Sequence, residues 1–165
     1  MRQWLMPALM GFGLLCGCEP PVDKMTATPP RPVTGVEQMA ILIQPPTAVS
    51  WTDRAAPDGI IVGVYFFAPG RPLATPVAGG VDVLLFEGAA PADPEKDKPF
   101  FTWSFTQEQL KSLLARTPYG WAYAMRLGWG DRVPTSDKIT VLGRYKPPGE
   151  RPIYSKPVTI PMAAK

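Results

Sequence analysis

From Val36 onward the apolar positions of this chain fall in short runs punctuated by Pro, Gly and Asp, the texture of an all-β domain. Residues 39–43 form a first candidate strand. Residues 59–68 (GIIVGVYFFA) are a continuous β-branched and aromatic run, which predicts a strand covered on both faces. Residues 81–86 and 100–105 follow, the latter alternating so that Phe101 and Trp103 fall to one side with Thr102 and Ser104 between them. The clearest alternation spans residues 119–129. Tyr119, Trp121, Tyr123, Met125, Leu127 and Trp129 share one face there, and Gly120, Ala122, Ala124 and Gly128 share the other. The large face suits burial against an opposing sheet, and the small face admits close approach of another element. A final hairpin pairs 138–145 with 153–160 around Lys-Pro-Pro-Gly-Glu-Arg-Pro. Pro157 and Pro161 lack donors, which puts the last strand at an edge.

One helix is predicted within this pattern. Thr106-Gln-Glu-Gln109 has the capping-box form, with Leu110, Leu113 and Leu114 on one face beyond it. Pro118 disfavours helical geometry just before itself, so the helix is expected over about 107–116 as a connection covering the end of a β-sandwich.

Upstream of Val36 the texture differs twice. Residues 19–35 are too rich in proline for a helix and too poor in apolar residues for a core; they read as an extended tether. Docking onto the domain, or onto a proline-recognising partner, are the alternatives for this segment. Before it, Arg2 precedes an apolar run from about Trp4 to Leu15 and the motif Leu15-Cys16-Gly17-Cys18. The run is about a dozen residues and is interrupted by Pro7, Gly11 and Gly13, whereas a spanning helix needs about 20 apolar residues. The arrangement resembles the lipobox of bacterial lipoproteins. That resemblance implies a signal peptide over 1–17 and a mature chain beginning at Cys18, with a diacylglycerol thioether and an acyl group such as palmitate on its amine. Leu15 is bulky where the family expects a small residue before the acylated cysteine, which disfavours Cys16. Glu19 is not the aspartate usual for inner-membrane retention, so the resemblance implies an outer-membrane anchor if the cell is diderm. The membrane, through the Cys18 lipid, is then one partner, and the cell envelope is the location.

On that reading no cysteine remains for a disulfide, and residues 37–165 must be stabilised by a core, for which they are long enough as one domain. The net charge of +3 is dispersed rather than gathered in a stripe, which argues against nucleic-acid binding.

Two stretches resemble the fibronectin type III and wider immunoglobulin-like group. Pro45-Pro-Thr-Ala-Val-Ser-Trp-Thr52 and Asp58-Gly-Ile-Ile-Val-Gly-Val-Tyr65 look like its tryptophan strand and the next tyrosine strand. Arg144-Tyr145, Gly149 and residues 154–160 look like its closing hairpin. The expected fold is therefore an all-β, immunoglobulin-like sandwich, fibronectin III-like or transthyretin-like, with one short helix.

Catalytic chemistry is restricted by composition. The chain has no histidine, so it supplies no Ser-His-Asp triad, Cys-His pair or histidine-ligated zinc. A Gly-x-x-x-x-Gly-Lys-Ser/Thr phosphate loop is absent. Asp82, Glu87, Glu108 and Asp131 are available for two-carboxylate glycoside hydrolysis, but no spacing forces any two together. Ser136 with Lys138, and Ser155 with Lys156, have no visible activating context. Asp93-Pro-Glu-Lys-Asp97 places acids as a calcium loop does, yet Lys98 stands where glycine is required and Ser104 where the bidentate glutamate belongs. No catalytic residue, metal or cofactor is assigned. The expected function is a non-catalytic binding or structural domain of the envelope. A carbohydrate- or peptidoglycan-binding module using Trp51, Trp103, Trp121 and Trp129 is the alternative, with an envelope protein or glycan as partner.

Overall fold

The alternating runs fold into two antiparallel sheets laid face to face, here seen in a computed structural model that describes residues 28–54 and 56–162. In chain order the elements are β1 (Gln38–Ile43), β2 (Gly59–Phe67), β3 (Gly80–Glu87), β4 (Phe101–Phe105), α1 (Gln107–Leu113), β5 (Leu114–Thr117), β6 (Gly120–Gly128), β7 (Lys138–Lys146), β8 (Ile153–Tyr154) and β9 (Val158–Pro161). One sheet has the order β1-β2-β6-β5. The other has the order β4-β3-β7-β8, with β9 also pairing β7. Thus β8 and β9 form an edge, as the prolines require.

The core lies between the sheets and is made by every second residue of each strand. Ile60, Val62, Val64 and Phe66 of β2 meet Val81, Val83 and Leu85 of β3 and Ile139, Val141 and Tyr145 of β7, all fully buried. Side chains of this size contribute about 1.5–3 kcal/mol each on full burial. Gly143 takes the inward position on β7 where a Cβ would collide with Met39, so its missing side chain lets β1 close over the opposing sheet.

Four expectations are corrected. First, β2 is fully buried along one face only: its outer side is partly covered, by Trp51 over Gly59 and Tyr119 against Tyr65, and leaves Ile61 exposed. The strand buried on both faces is β3, where Leu84 and Phe86 pack outside the sheet against Leu142 and Tyr154. Second, α1 stops at Leu113. The capping box forms as expected, with Thr106 N donating to Gln109 Oε1 at 2.8 Å, but Leu114 to Thr117 pair with Tyr123 to Gly120 as an edge strand. Cross-strand hydrogen bonds there replace the last helical turn. Third, the closing segment is two short strands: Ser155 turns inward and exchanges hydrogen bonds with Gly143, and Pro157 has no donor. Fourth, Trp51 stands in the connection between β1 and β2, not in a strand. Asp58 holds that connection by accepting from Trp51 N at 2.7 Å and Thr52 N at 2.8 Å.

Within the stretch read as a tether, Val33 already meets the domain. Val33 forms a parallel bridge with Val77, donating to Pro76 O at 3.0 Å and accepting from Ala78 N at 2.8 Å. Residues 1–17 and Cys18 lie outside the described residues.

A candidate binding cleft at the tether end

Where the tether docks, two loops are tied side by side. Ala74 N donates to Tyr119 O at 2.8 Å, and Trp121 N donates to Ala74 O at 2.9 Å, which locks residues 71–75 against the turn that opens β6. Gly120 makes this junction. Its φ is +109°, and a Cβ there would strike the backbone of Ala74, so only glycine combines that turn with that approach. Across it the chain changes its facing: Tyr119, just before it, packs edge-on against Tyr65 on the outside of the sheet. Tyr123 lies inside, its hydroxyl accepting from Val77 N at 3.0 Å beneath the tether.

Between these loops and the tether lies a cleft of about 710 Å³, within the range of small-molecule sites. Thr28 and Pro30 of the tether form one wall, Arg71 and Thr75 another, and Arg116 and Trp121 a third. Arg71 Nη1 donates to Thr75 Oγ1 at 3.2 Å, which directs its guanidinium along the cleft. Among the described residues neither Arg71 nor Arg116 has a carboxylate within salt-bridge distance, whereas Arg54, Lys96, Lys111, Arg144 and Lys146 each do. The cleft is thus lined by an indole, prolines, hydroxyls and two unneutralised cations. Such a surface accepts an anion that carries an apolar or ring-like body.

The four tryptophans do not share this site. Trp129 is 2% exposed, and its indole donates to Pro57 O at 2.8 Å. Trp51 lies on the outer face of the first sheet, over Gly59 and Gly128, with the Arg126 guanidinium 4.1 Å from its ring centre. It is therefore the element that the small-residue face of β6 admits. Trp103 stands on edge strand β4, stacked on Phe101 with 5.1 Å between ring centres, and donates to Gly128 O at 3.0 Å across the gap between sheets. Arg132 lies 5.1 Å from the Phe101 ring, completing a second aromatic cluster at the opposite end of β6. Only Trp121 reaches the tether-end cleft.

The acids are equally scattered. Asp82 accepts from Arg144 Nε at 2.8 Å and Lys146 Nζ at 2.7 Å on the outer face of β3. Glu87 caps the 135–136 backbone, and the Thr135 amide leads the bonds that hold its carboxyl below the ordinary range. Glu108 pairs with Lys111, and Asp131 with Arg54. In the calcium-like stretch Lys96 Nζ sits 2.9 Å from Asp93 Oδ2, and that hydrogen bond is foremost in keeping the Asp93 pKa low. Among the described residues no three His, Cys, Asp or Glu side chains gather as a metal site would need, and no helix is long and apolar enough to cross a membrane.

Sequence reasoning did not single out Arg71 or Arg116. Each precedes a proline-containing turn with an exposed apolar residue, at Arg71-Pro-Leu73 and Arg116-Thr-Pro-Tyr119, and that repeated composition was the available signal. No protein family, curated protein or solved structure matches the chain.

Proposed function

We propose that the chain is an exported cell-envelope lipoprotein, anchored through Cys18, whose sandwich is an immunoglobulin-like, non-catalytic binding domain. One observation carries this reading: the segment that would lead from the lipidated cysteine forms a wall of the cleft beside Arg71, Arg116 and Trp121, so the described chain enters the sandwich at the end that bears the binding surface. The strand orders β1-β2-β6-β5 and β4-β3-β7-β8 support the immunoglobulin-like reading, because they reproduce the A-B-E-D and C′-C-F-G succession. Separate pairing of every candidate carboxylate supports binding over hydrolysis. Mass spectrometry of the native N-terminus tests the anchor. A diacylated, acylated Cys18 is expected, and an unmodified Cys18 or a cleavage elsewhere overturns it. Cys18→Ala is expected to leave the precursor unprocessed or to release the domain from membranes.

A glycan-binding reading survives at the other end of β6, favoured by the stacked Phe101 and Trp103 rings beneath Arg132. Binding of peptidoglycan fragments that Trp103→Ala abolishes, while Trp121→Ala leaves it intact, would establish it.

A further inference from the structure

Leu73 and Tyr119 are the most exposed large hydrophobic side chains among the described residues, at 56% and 62%. They stand on different loops, yet the hydrogen bonds of Ala74 hold those loops together as one rigid lip. Trp121 lies in the cleft behind that lip, and Arg71 and Arg116 line the same cleft without carboxylate partners among the described residues. Exposed leucine, amphipathic aromatic rings and unneutralised guanidinium groups are the composition that works at a water–lipid boundary. The rings sit at headgroup depth and the cations meet phosphate.

Chain geometry says which bilayer. Thr28 stands in the cleft ten residues after Cys18, and ten residues span at most roughly 36 Å. The far end of the sandwich is a further ~30 Å away along the nine residues of β2. A lipid on Cys18 therefore ties the sandwich to the membrane by its lip end, which makes the lip the end nearest the point of attachment. We propose that this lip is the face the domain lays on its own bilayer, with Arg71 and Arg116 on the phosphates of anionic phospholipids and Leu73, Tyr119 and Trp121 in the headgroup layer. The proposal rests on the Cys18 anchor, which supplies the proximity.

The test uses the mature chain from position 18, made without acylation and carrying Cys18→Ser, sedimented with vesicles of phosphatidylcholine alone or mixed with phosphatidylglycerol. Binding to the anionic vesicles, weakening as salt rises, is expected. Arg71→Gln and Arg116→Gln should each lower it about fivefold, since a basic group near an anionic surface contributes about 1 kcal/mol. Leu73→Ser should lower it without changing the salt dependence, and all three variants should keep the parent melting temperature. Equal binding to both vesicle types, or arginine variants that bind as the parent does, overturns the proposal. So does saturation of the cleft by free glycerol phosphate at the concentration at which the vesicle lipid acts, which would mark a site for a small soluble anion. Because this chain carries no lipid, the anchor is decided separately. Vesicle binding with an unmodified native Cys18 overturns the anchor and with it this choice of bilayer, whereas a lipidated Cys18 without vesicle binding overturns the lip alone.

Discussion

Asp82 stands on the outward face of its sheet and is nevertheless only 1% exposed. Arg144 and Lys146 share that face with it, and both reach the same carboxylate oxygen. Burial pushes the carboxyl upward, and hydrogen bonds from Lys146, Arg144 and Ser104 together outweigh it, leaving Asp82 below the ordinary aspartate value. Hydrogen bonds to charged groups contribute roughly 1.5–3 kcal/mol, and the partial exposure of the two cations lets water recover part of that. Asp82→Asn is therefore expected to destabilise the fold by about 1–3 kcal/mol at neutral pH, read as a lower urea midpoint. An unchanged midpoint would mean that the cluster contributes nothing.

At the scale of the element, periodicity was enough for strands and not for their partners. The β-branched and aromatic run from Ile60 to Phe67 announces β2 by composition though not which of its faces is buried, and the capping box of α1 is local chemistry between Thr106 and Gln109. Leu114 is different. Its helical spacing from Leu110 is genuine, but the structure gives it to a ladder with Tyr123, a pairing that depends on the turn at Gly120 and not on its own neighbours. The same turn explains why Tyr119 leaves the aromatic face it shares by parity, and why Arg71 and Arg116, distant in sequence, line one cleft. Trp51 likewise needed Gly59 and Gly128 to be brought under it. Gly120→Ala tests this dependence. A side chain in a sparsely populated backbone region costs of order 1–3 kcal/mol, and the collision with Ala74 adds to it. The expected result is a lower melting temperature, with amide exchange accelerated in residues 71–75 and 117–121 more than in β3 or β7. Uniform acceleration throughout the sandwich would show that Gly120 supports the whole fold and not this junction in particular.

For the molecule as a whole, the absence of histidine and the placement of its perturbed groups set the shape of stability against pH. Asp82, Glu87, Asp93 and Asp58 all have folded pKa values below their ordinary ones; at Asp58 the Thr52 hydroxyl is the leading cause. A group depressed in this way stabilises the fold above its unfolded pKa, near pH 4, and that stability is lost as pH falls through the folded value. Tyr145 works in the opposite direction. Fully buried, with its hydroxyl donating to Ala78 O, it is pushed up to about 12 by burial, reinforced by Glu150 and Tyr123. In the unfolded chain its phenol ionises near pH 10, so its contribution is complete below that point and disappears as pH rises through about 12. Thermal unfolding should accordingly show a plateau around neutrality, with stability falling below about pH 4 and again above about pH 10. Tyr145→Phe separates the alkaline limb from general charge repulsion. Removing the hydroxyl leaves Ala78 O without its donor and should cost about 1 kcal/mol at pH 7, while the decline between pH 10 and 12 becomes shallower. A variant whose alkaline decline matches the parent's would transfer that limb to Tyr123, the other buried phenol that burial holds above its ordinary value, and would remove Tyr145 as its origin.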